Sequence, residues 1–305
     1  MRNSIIHEIT ERAKIDKSIV LLTGDLGFGC IEEFSNLFPE RYFNVGIAEQ
    51  NMMSMAAGLA MEGKKVFVYS IGNFNTLRCI EQIRNDVCYM NLDVNIISVG
   101  AGVEYGQLGF SHHATEDIAC MRSLPNMMVF DSATVSEAVN VAKVMLNTSA
   151  PCFLRLNKKG VDVNVKAPAS LQPYLIKKGK GVAIFSTGAI LIEALKASEL
   201  LLKAGIDVAV YSCPSIKPLD GKSLMKKLSE YKEVITIEEH TVLGGLGGVF
   251  AEVLAQSEGI KPNLTILGIN DCVSSFVGDR AFLRKEYKID ADNIAKVIYK
   301  KVKNK

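Results

Sequence analysis

Ile19-Val20-Leu21-Leu22 runs without a polar break into Thr23-Gly24-Asp25-Leu26-Gly27-Phe28-Gly29. Successive strand residues point to opposite faces, so four apolar residues in a row leave neither face for water. Such a strand belongs in a parallel sheet with helices on both sides. Val66-Phe67-Val68-Tyr69, Val94-Asn95-Ile96-Ile97-Ser98-Val99, Met127-Met128-Val129-Phe130 and Cys152-Phe153-Leu154-Arg155-Leu156 repeat the pattern downstream, each short and mostly non-alternating. Helical periods are expected between them, near 48–62, 76–90 and 134–147. The last opens on Thr134 with Glu137 three residues on, the signature of a capping box.

Residues 161–180 interrupt this alternation. They carry Pro168, Pro173 and the basic run Lys177-Lys178-Gly179-Lys180 with no helical period, and read as a linker. Strands at 182–185, 208–211, 234–237 and 264–267 then bracket helices near 189–204, 219–230 and 245–257, and a last helix near 291–303 ends in a basic tail. The expected fold class is α/β, as two consecutive domains with mainly parallel sheets: domain 1–160, linker 161–180 and domain 181–305.

Length and composition agree. A chain of 305 residues suits about two domains. With 48% hydrophobic and 22% charged residues it lies in the globular range. Lys plus Arg number 35 against 33 for Asp plus Glu, a net charge of +2, which gives no electrostatic footprint for nucleic acid or an anionic membrane. No run of 18 apolar residues exists to span a bilayer. The start, Met1-Arg2-Asn3-Ser4-Ile5-Ile6-His7-Glu8, turns polar too soon for a secretory signal. Seven scattered cysteines without a C-x-x-C pair fit reduced thiols and a cytoplasmic protein. A mean hydropathy of +0.17 implies a large buried fraction, including a subunit interface.

Several clusters admit both a structural and a functional reading. Gly24 to Gly29 follows a strand, where a parallel sheet presents its ligand edge. It lacks the third glycine of G-x-G-x-x-G, so it reads as a tight turn with Asp25 as a candidate site residue. Gly244-Gly245-Leu246-Gly247-Gly248 opens a helix whose N–H groups could hold a phosphate. Glu238 and Glu239 just before it would repel an anion, which favours close helix packing. Asp220-Gly221-Lys222-Ser223 has the tail of a P-loop, but Ile216 stands where its first glycine belongs. His112 and His113, in a glycine-bearing loop after a strand, are either structural or able to bind substrate and move protons. No third ligand at a metal spacing accompanies them. Glu49 enters a helix bearing Met52, Met53, Met55, Ala56, Ala57, Leu59, Ala60 and Met61, apolar nearly all round and so expected to be buried in the protein or in an interface. Its carboxylate either favours the helix dipole or, in a dry setting, keeps its proton and marks a site.

Together these residues resemble the C-terminal half of the transketolase family. Gly46-Ile47-Ala48-Glu49-Gln50-Asn51-Met52 with Ala56-Ala57-Gly58-Leu59-Ala60 is similar to the family's pyrimidine-binding helix. Glu81-Gln82-Ile83-Arg84-Asn85-Asp86, Ser111-His112, Glu116-Asp117-Ile118-Ala119, Met121-Arg122-Ser123-Leu124-Pro125-Asn126-Met127 and Ile216-Lys217-Pro218-Leu219-Asp220 follow in the family's order. So does Glu238-Glu239-His240-Thr241 with Gly244-Gly245-Leu246-Gly247. The resemblance runs from about residue 15 to residue 270. It implies a pyrimidine-binding domain, a transketolase C-terminal domain and thiamine diphosphate as electron sink for a two-carbon ketol unit passed from a ketose to an aldehyde. By the same resemblance Glu49 is the acid that hydrogen-bonds N1′ of the pyrimidine and promotes its imino tautomer. Phe74 stacks on that ring, with Ile71 where a second aromatic is usual. Asp25 lies near the thiazolium side. His112 contacts the substrate's oxygen atoms and helps proton transfer, and His113, Gln107 and Lys158 join the expected substrate contacts.

What is missing is equally informative. The family holds the diphosphate and Mg2+ with Gly-Asp-Gly followed by Asn-Asn, and neither Gly24-Asp25-Leu26 nor Gly278-Asp279-Arg280 completes that motif. The resemblance therefore implies a chain without metal ligands that is active only with a partner. That partner is an N-terminal transketolase subunit carrying the diphosphate-binding GDG…NN domain, in an α2β2 heterotetramer with the cofactor between the chains. Gly100 stands for a substrate histidine, Gln107-Leu108 for an acidic pair, Gly29 for a serine and Lys158 for an arginine. Each lost charged hydrogen bond costs about 1.5–3 kcal/mol of binding, so a non-phosphorylated or nucleotide-linked sugar becomes the expected substrate. The β subunit of a 2-oxoacid dehydrogenase E1 and a non-catalytic regulatory subunit are the rival readings. Retention of Glu49, Phe74 and His112 speaks against the second.

Overall fold

The computed structural model describes residues 1–259 and 261–303. The first half runs α1 (Arg2–Ala13), β1 (Ile19–Thr23), α2 (Glu32–Leu37), β2 (Tyr42–Asn44), α3 (Glu49–Met61) and β3 (Lys65–Ile71). It continues with α4 (Ile80–Gln82), which passes into a π-helical turn (Ile83–Cys88), then β4 (Val94–Val99), α5 (Asp117–Ser123), β5 (Met128–Ser132), α6 (Val135–Asn147) and β6 (Cys152–Leu156). The second half runs β7 (Tyr174–Lys177), β8 (Val182–Ser186), α7 (Leu191–Lys203), β9 (Val208–Ser212), β10 (Ser215–Lys217) and α8 (Gly221–Leu228). It ends with β11 (Glu233–Thr241), α9 (Leu246–Gln256), β12 (Asn263–Ile269), α10 (Arg280–Glu286) and α11 (Ala291–Lys303). Residues 304 and 305, the end of the expected basic tail, lie outside the described residues.

Two sheets result, β10-β5-β6-β4-β3-β1-β2 and β12-β11-β8-β9-β7. Their pairings are parallel except β10 on β5 and β7 on β9. The apolar run that opens the chain's first strand shows why. Ile19 and Leu21 pack on one face with Ile5, Ile6 and Ile9 of α1, while Val20 and Leu22 pack on the other with Met52, Met53 and Ala56 of α3. Both faces of β1 are thus covered by helices, as a continuous apolar strand requires. At α6 the capping box forms: Thr134 Oγ1 accepts the Glu137 N–H at 3.1 Å, and the Glu137 carboxylate accepts the Thr134 N–H at 3.1 Å.

Two short strands depart from the sequence reading. β7 lies inside the stretch expected to be a linker and adds to the edge of the second sheet, where the Tyr174 hydroxyl donates to Glu137 at 2.9 Å. β10 leaves the second half to pair with β5 at the edge of the first sheet. The halves also share an apolar core in which Met121 and Val129 meet Tyr211, Ile216 and Phe250. α3 is buried on one side only: Met52, Met53, Ala56 and Ala57 face the sheet, while Met61 is 63% and the neighbouring Ile47 79% exposed. Among the described residues no helix is long and apolar enough to cross a membrane.

A buried arginine bolts the halves together. Arg155 of β6, 1% exposed, donates from Nε to Asp117 at 3.0 Å and from Nη1 to Asp131 at 3.1 Å. Its Nη2 donates to the carbonyls of Ala114 at 2.5 Å and Glu239 at 2.8 Å. The Glu239 carboxylate in turn pairs with Arg280 and Arg284. Burial pushes Glu239 up, but the two guanidinium groups outweigh it and hold its carboxyl at about 2.

Candidate functional site

β1, β2, β3 and β4 are parallel, so their C-terminal ends share one edge of the sheet. The loops leaving that edge carry Asp25, Glu49, Phe74 and the His112 segment. The first two loops touch. A Cβ on Gly24 would lie 3.3 Å from the Gly46 carbonyl and 3.7 Å from Cγ of Glu49. Asn44 ties them: its Oδ1 accepts the N–H groups of Asp25 at 2.9 Å and Gly46 at 3.0 Å, and its Nδ2 donates to the Asp25 carboxylate at 3.1 Å. Asp25 adopts a left-handed backbone (φ +57°) at this junction and is exposed.

Glu49 opens α3 and is 2% exposed. Its partner is Arg78, whose Nη1 donates to Oε2 at 2.6 Å. The expected proton-holding acid is thus one half of an ion pair here. The Arg78 guanidinium carbon also lies 4.8 Å over the centroid of Phe74. The Phe74 ring meets His112 edge-on at 5.1 Å, and Nδ1 of His112 is 3.0 Å from Oγ of Ser111. Asn73 fixes the loop by donating to the carbonyls of Ser111 at 2.9 Å and His113 at 3.2 Å. Glu49, Arg78, Phe74 and His112 therefore form one continuous chain of contacts. A flat, N–H-bearing group is held there between a buried carboxylate and an aromatic face, which is the fit a pyrimidine ring needs.

The other expected residues are placed differently. Ile71 ends β3, half-buried. His113 diverges from His112: it is buried in a 260 Å³ cavity between the halves, beside Phe110, Glu116, Cys120 and Tyr287. Neither of its ring nitrogens has a hydrogen-bond partner, and burial lowers its pKa, so it is a neutral imidazole away from the Phe74 face. Gln107 is exposed. Lys158 belongs to a separate group, with its ammonium 3.9 Å over the Tyr105 ring and its N–H 3.0 Å from the Glu104 carboxylate. Tyr105 also explains Gly100: at φ +93°, a Cβ there would meet the Tyr105 ring at 2.1 Å, so tyrosine takes the space a side chain at 100 would need.

The glycine run before α9 serves packing. The Glu238 carboxylate accepts the N–H groups of Leu246 at 2.8 Å and Gly247 at 2.9 Å, filling the helix end an anion would use. Burial raises this carboxyl to about 7, with the two N–H groups opposing. A Cβ on Gly247 would lie 2.3 Å from Ile266. Among the described residues, the cluster of carboxylates and histidine close enough to share a metal ion is His7, Glu11 and Glu33, exposed on α1 and α2. It includes none of the residues around Glu49, and Lys14 already pairs with Glu11. Arg78, Asn44 and Tyr105 carry no sequence signal, because a single arginine, asparagine or tyrosine beside a turn reads as ordinary surface.

Comparison with known proteins adds the following. Residues 1–162 match the family model of the transketolase pyrimidine-binding domain, and residues 173–294 match that of the transketolase C-terminal domain. The chain is 37% identical over 310 residues to a putative transketolase C-terminal section of Methanocaldococcus jannaschii, covering 99% of this chain and 96% of that one. It is 35% identical over 269 residues to an apulose-4-phosphate transketolase subunit of Actinobacillus succinogenes, covering 87% and 86%. A solved split-gene transketolase, described as an inactive β4 tetramer, superposes with a TM-score of 0.85 at 34% identity, covering 98% of this chain and 96% of that one.

Proposed function

The chain belongs to the transketolase family, as the C-terminal subunit of an enzyme split into two subunits, and from that premise we propose how its residues serve ketol transfer. Thiamine diphosphate, when bound, supplies the electron sink that lets a two-carbon unit leave a ketose and join an aldehyde. Glu49 binds the pyrimidine ring nitrogen and holds a proton there. Phe74 and Ile71 form the face against which that ring lies. Asp25, braced by Asn44, faces the thiazolium side. His112, steadied by Ser111 and by its edge contact with Phe74, contacts substrate oxygen atoms and moves protons. Lys158 and Gln107 meet the far end of the sugar. His113 packs behind the loop.

The diphosphate and Mg2+ belong to the partner subunit, and the assembly is an α2β2 heterotetramer. Exposed Met61 at the end of α3 and exposed Ile47 just before the helix lie against that partner. The seven free cysteines suit the reducing cytoplasm. The relative from A. succinogenes is named for a phosphorylated, non-standard sugar, and Lys158 retains a cation at the position expected for an arginine. We therefore favour a non-standard ketose with a terminal anion over a neutral one.

The observation that carries this reading is the Glu49–Arg78–Phe74 slot, with His112 in edge contact with Phe74. The test mixes purified chain with its partner subunit and follows ketol transfer from a panel of ketoses. Transfer by the mixture and by neither chain alone is expected; transfer by this chain alone, or by no combination, refutes the reading.

A further inference from the structure

His113 lies away from the Phe74 face, and its surroundings suit a different task. It is 2% exposed, it lines the 260 Å³ cavity between the halves, and neither of its ring nitrogens has a hydrogen-bond partner. Two unpaired polar atoms at that depth are costly, and a molecule that bonds them relieves the cost. Burial lowers the pKa of His113 against the opposing pull of the Gly106 backbone and Glu116, so the ring is neutral and offers one N–H and one bare nitrogen. The Glu116 carboxylate stands beside it, since its charge also acts on Cys120 and Tyr287 in the wall of the same cavity. One Glu116 oxygen accepts the Thr115 hydroxyl at 3.0 Å, which leaves the other for a further donor.

We propose that this cavity is a second ligand site, for a small amino alcohol: one ammonium group and one or more hydroxyls on a short carbon chain. The charge of the wall selects the ammonium. Glu116 and Asp271 line the cavity and no lysine or arginine does, so an anion such as a sugar phosphate is repelled. A hydroxyl both donates and accepts, and so can bond either nitrogen of a neutral imidazole. Phe110, Ile269 and Tyr287 give the carbon chain an apolar wall. At roughly 30 Å³ for each water-sized group, 260 Å³ admits about nine non-hydrogen atoms. Among the described residues, no three metal-ligating groups of this cavity lie close enough to share an ion, so the occupant is a molecule rather than a metal. The site is separate from the Glu49 slot and does not depend on the reading of that slot. Asn73, which donates to the carbonyls of both Ser111 and His113, places the occupant behind the loop that carries His112.

The test is calorimetric titration of three compounds of similar size into the full chain: 2-amino-1,3-propanediol, glycerol and glycerate. They present a cation, a neutral group and an anion on the same three-carbon frame. The amino diol should saturate one site about ten-fold more tightly than glycerol, because a charge-assisted hydrogen bond to Glu116 replaces a neutral one, and glycerate should not bind. Glu116→Gln keeps the shape of the side chain and should bring the amino diol down to the glycerol value. His113→Phe fills the same space without ring nitrogens and should abolish binding of both; if that variant does not fold, Glu116→Gln decides alone. No saturable binding of the amino diol overturns the inference. Equal binding of all three compounds, or tighter binding of glycerate, overturns it as well. So does amino-diol binding that a folded Glu116→Gln or His113→Phe leaves unchanged, since the compound then sits elsewhere. Each of these outcomes leaves the ketol-transfer reading untouched.

Discussion

Replacing Arg155 with methionine keeps the volume of the side chain and removes four donated hydrogen bonds, to Asp117, Asp131 and the carbonyls of Ala114 and Glu239. Both carboxylates are fully buried. Burial already raises Asp117 to about 6 against the pull of Arg155, and it raises Asp131 as well. Without the guanidinium two acids face each other unpaired. Removing one partner of a buried pair costs about 3–5 kcal/mol, and here one cation serves two anions, so the upper half of that range applies. With a urea m-value of about 3 kcal/mol/M, the unfolding midpoint should fall by about 1.3–1.7 M at unchanged slope. Adding Asp117→Asn and Asp131→Asn to Arg155→Met should recover part of the loss, since amides need no counter-charge. The Ala114 carbonyl ends the loop that carries His112, so turnover of the complex should fall as well. A midpoint within about 0.3 M of wild type would show that the buried cluster does not hold the halves together.

Two further outcomes follow from the same geometry. His240 is a neutral tautomer: Nε2 accepts the Ala119 N–H at 3.2 Å and Nδ1 donates to the Thr241 carbonyl at 2.8 Å, and burial first, then Arg155, hold its pKa down at about 3. Its folded pKa lies below the unfolded 6.5, so the stability it contributes is lost as pH falls from 6.5 towards 3, by up to about 1.4 kcal/mol per pH unit. Asp117 and Glu238, whose folded values are raised, act in the opposite sense; the difference between wild type and His240→Gln isolates the histidine, and urea midpoints at pH 6.5 and 4.5 should draw together in the variant. Gly100→Ala forces a Cβ into the Tyr105 ring at a positive φ and should cost about 1–3 kcal/mol in thermal unfolding, an effect that Tyr105→Ala in the same chain should relieve in part.

The fold was legible where one physical rule dominates. The apolar run at 19–22 required a strand covered on both faces, and α1 and α3 cover it. Thr134 and Glu137 specified a helix start through local hydrogen bonds alone. The short strands β2, β7 and β10 left no such mark, because an edge strand of three or four residues draws its stability from the neighbour it joins rather than from its own pattern. Arg155 sits within an otherwise apolar strand, and its partners come from residues 24 to 84 positions away, a separation that no local pattern reports. At the site, the residues that motifs mark, Glu49, Phe74 and His112, do lie together. His113 shares its neighbour's sequence context but points into the cavity between the halves, and Arg78 fills the slot without any sequence cue. α3, which its composition placed in the protein or in an interface, buries Met52, Met53, Ala56 and Ala57 but exposes Gln50, Asn51, Ser54, Gly58 and Met61 in the single chain.

The role of Glu49 is tested most directly by turnover of the reconstituted two-subunit complex carrying Glu49→Gln, at saturating thiamine diphosphate and Mg2+. The amide keeps the shape of the side chain and cannot take or give the proton, so ketol transfer should fall by about 100-fold or more while the complex still assembles. Turnover within about three-fold of wild type would contradict a proton-holding role for Glu49 and, with it, the proposed site.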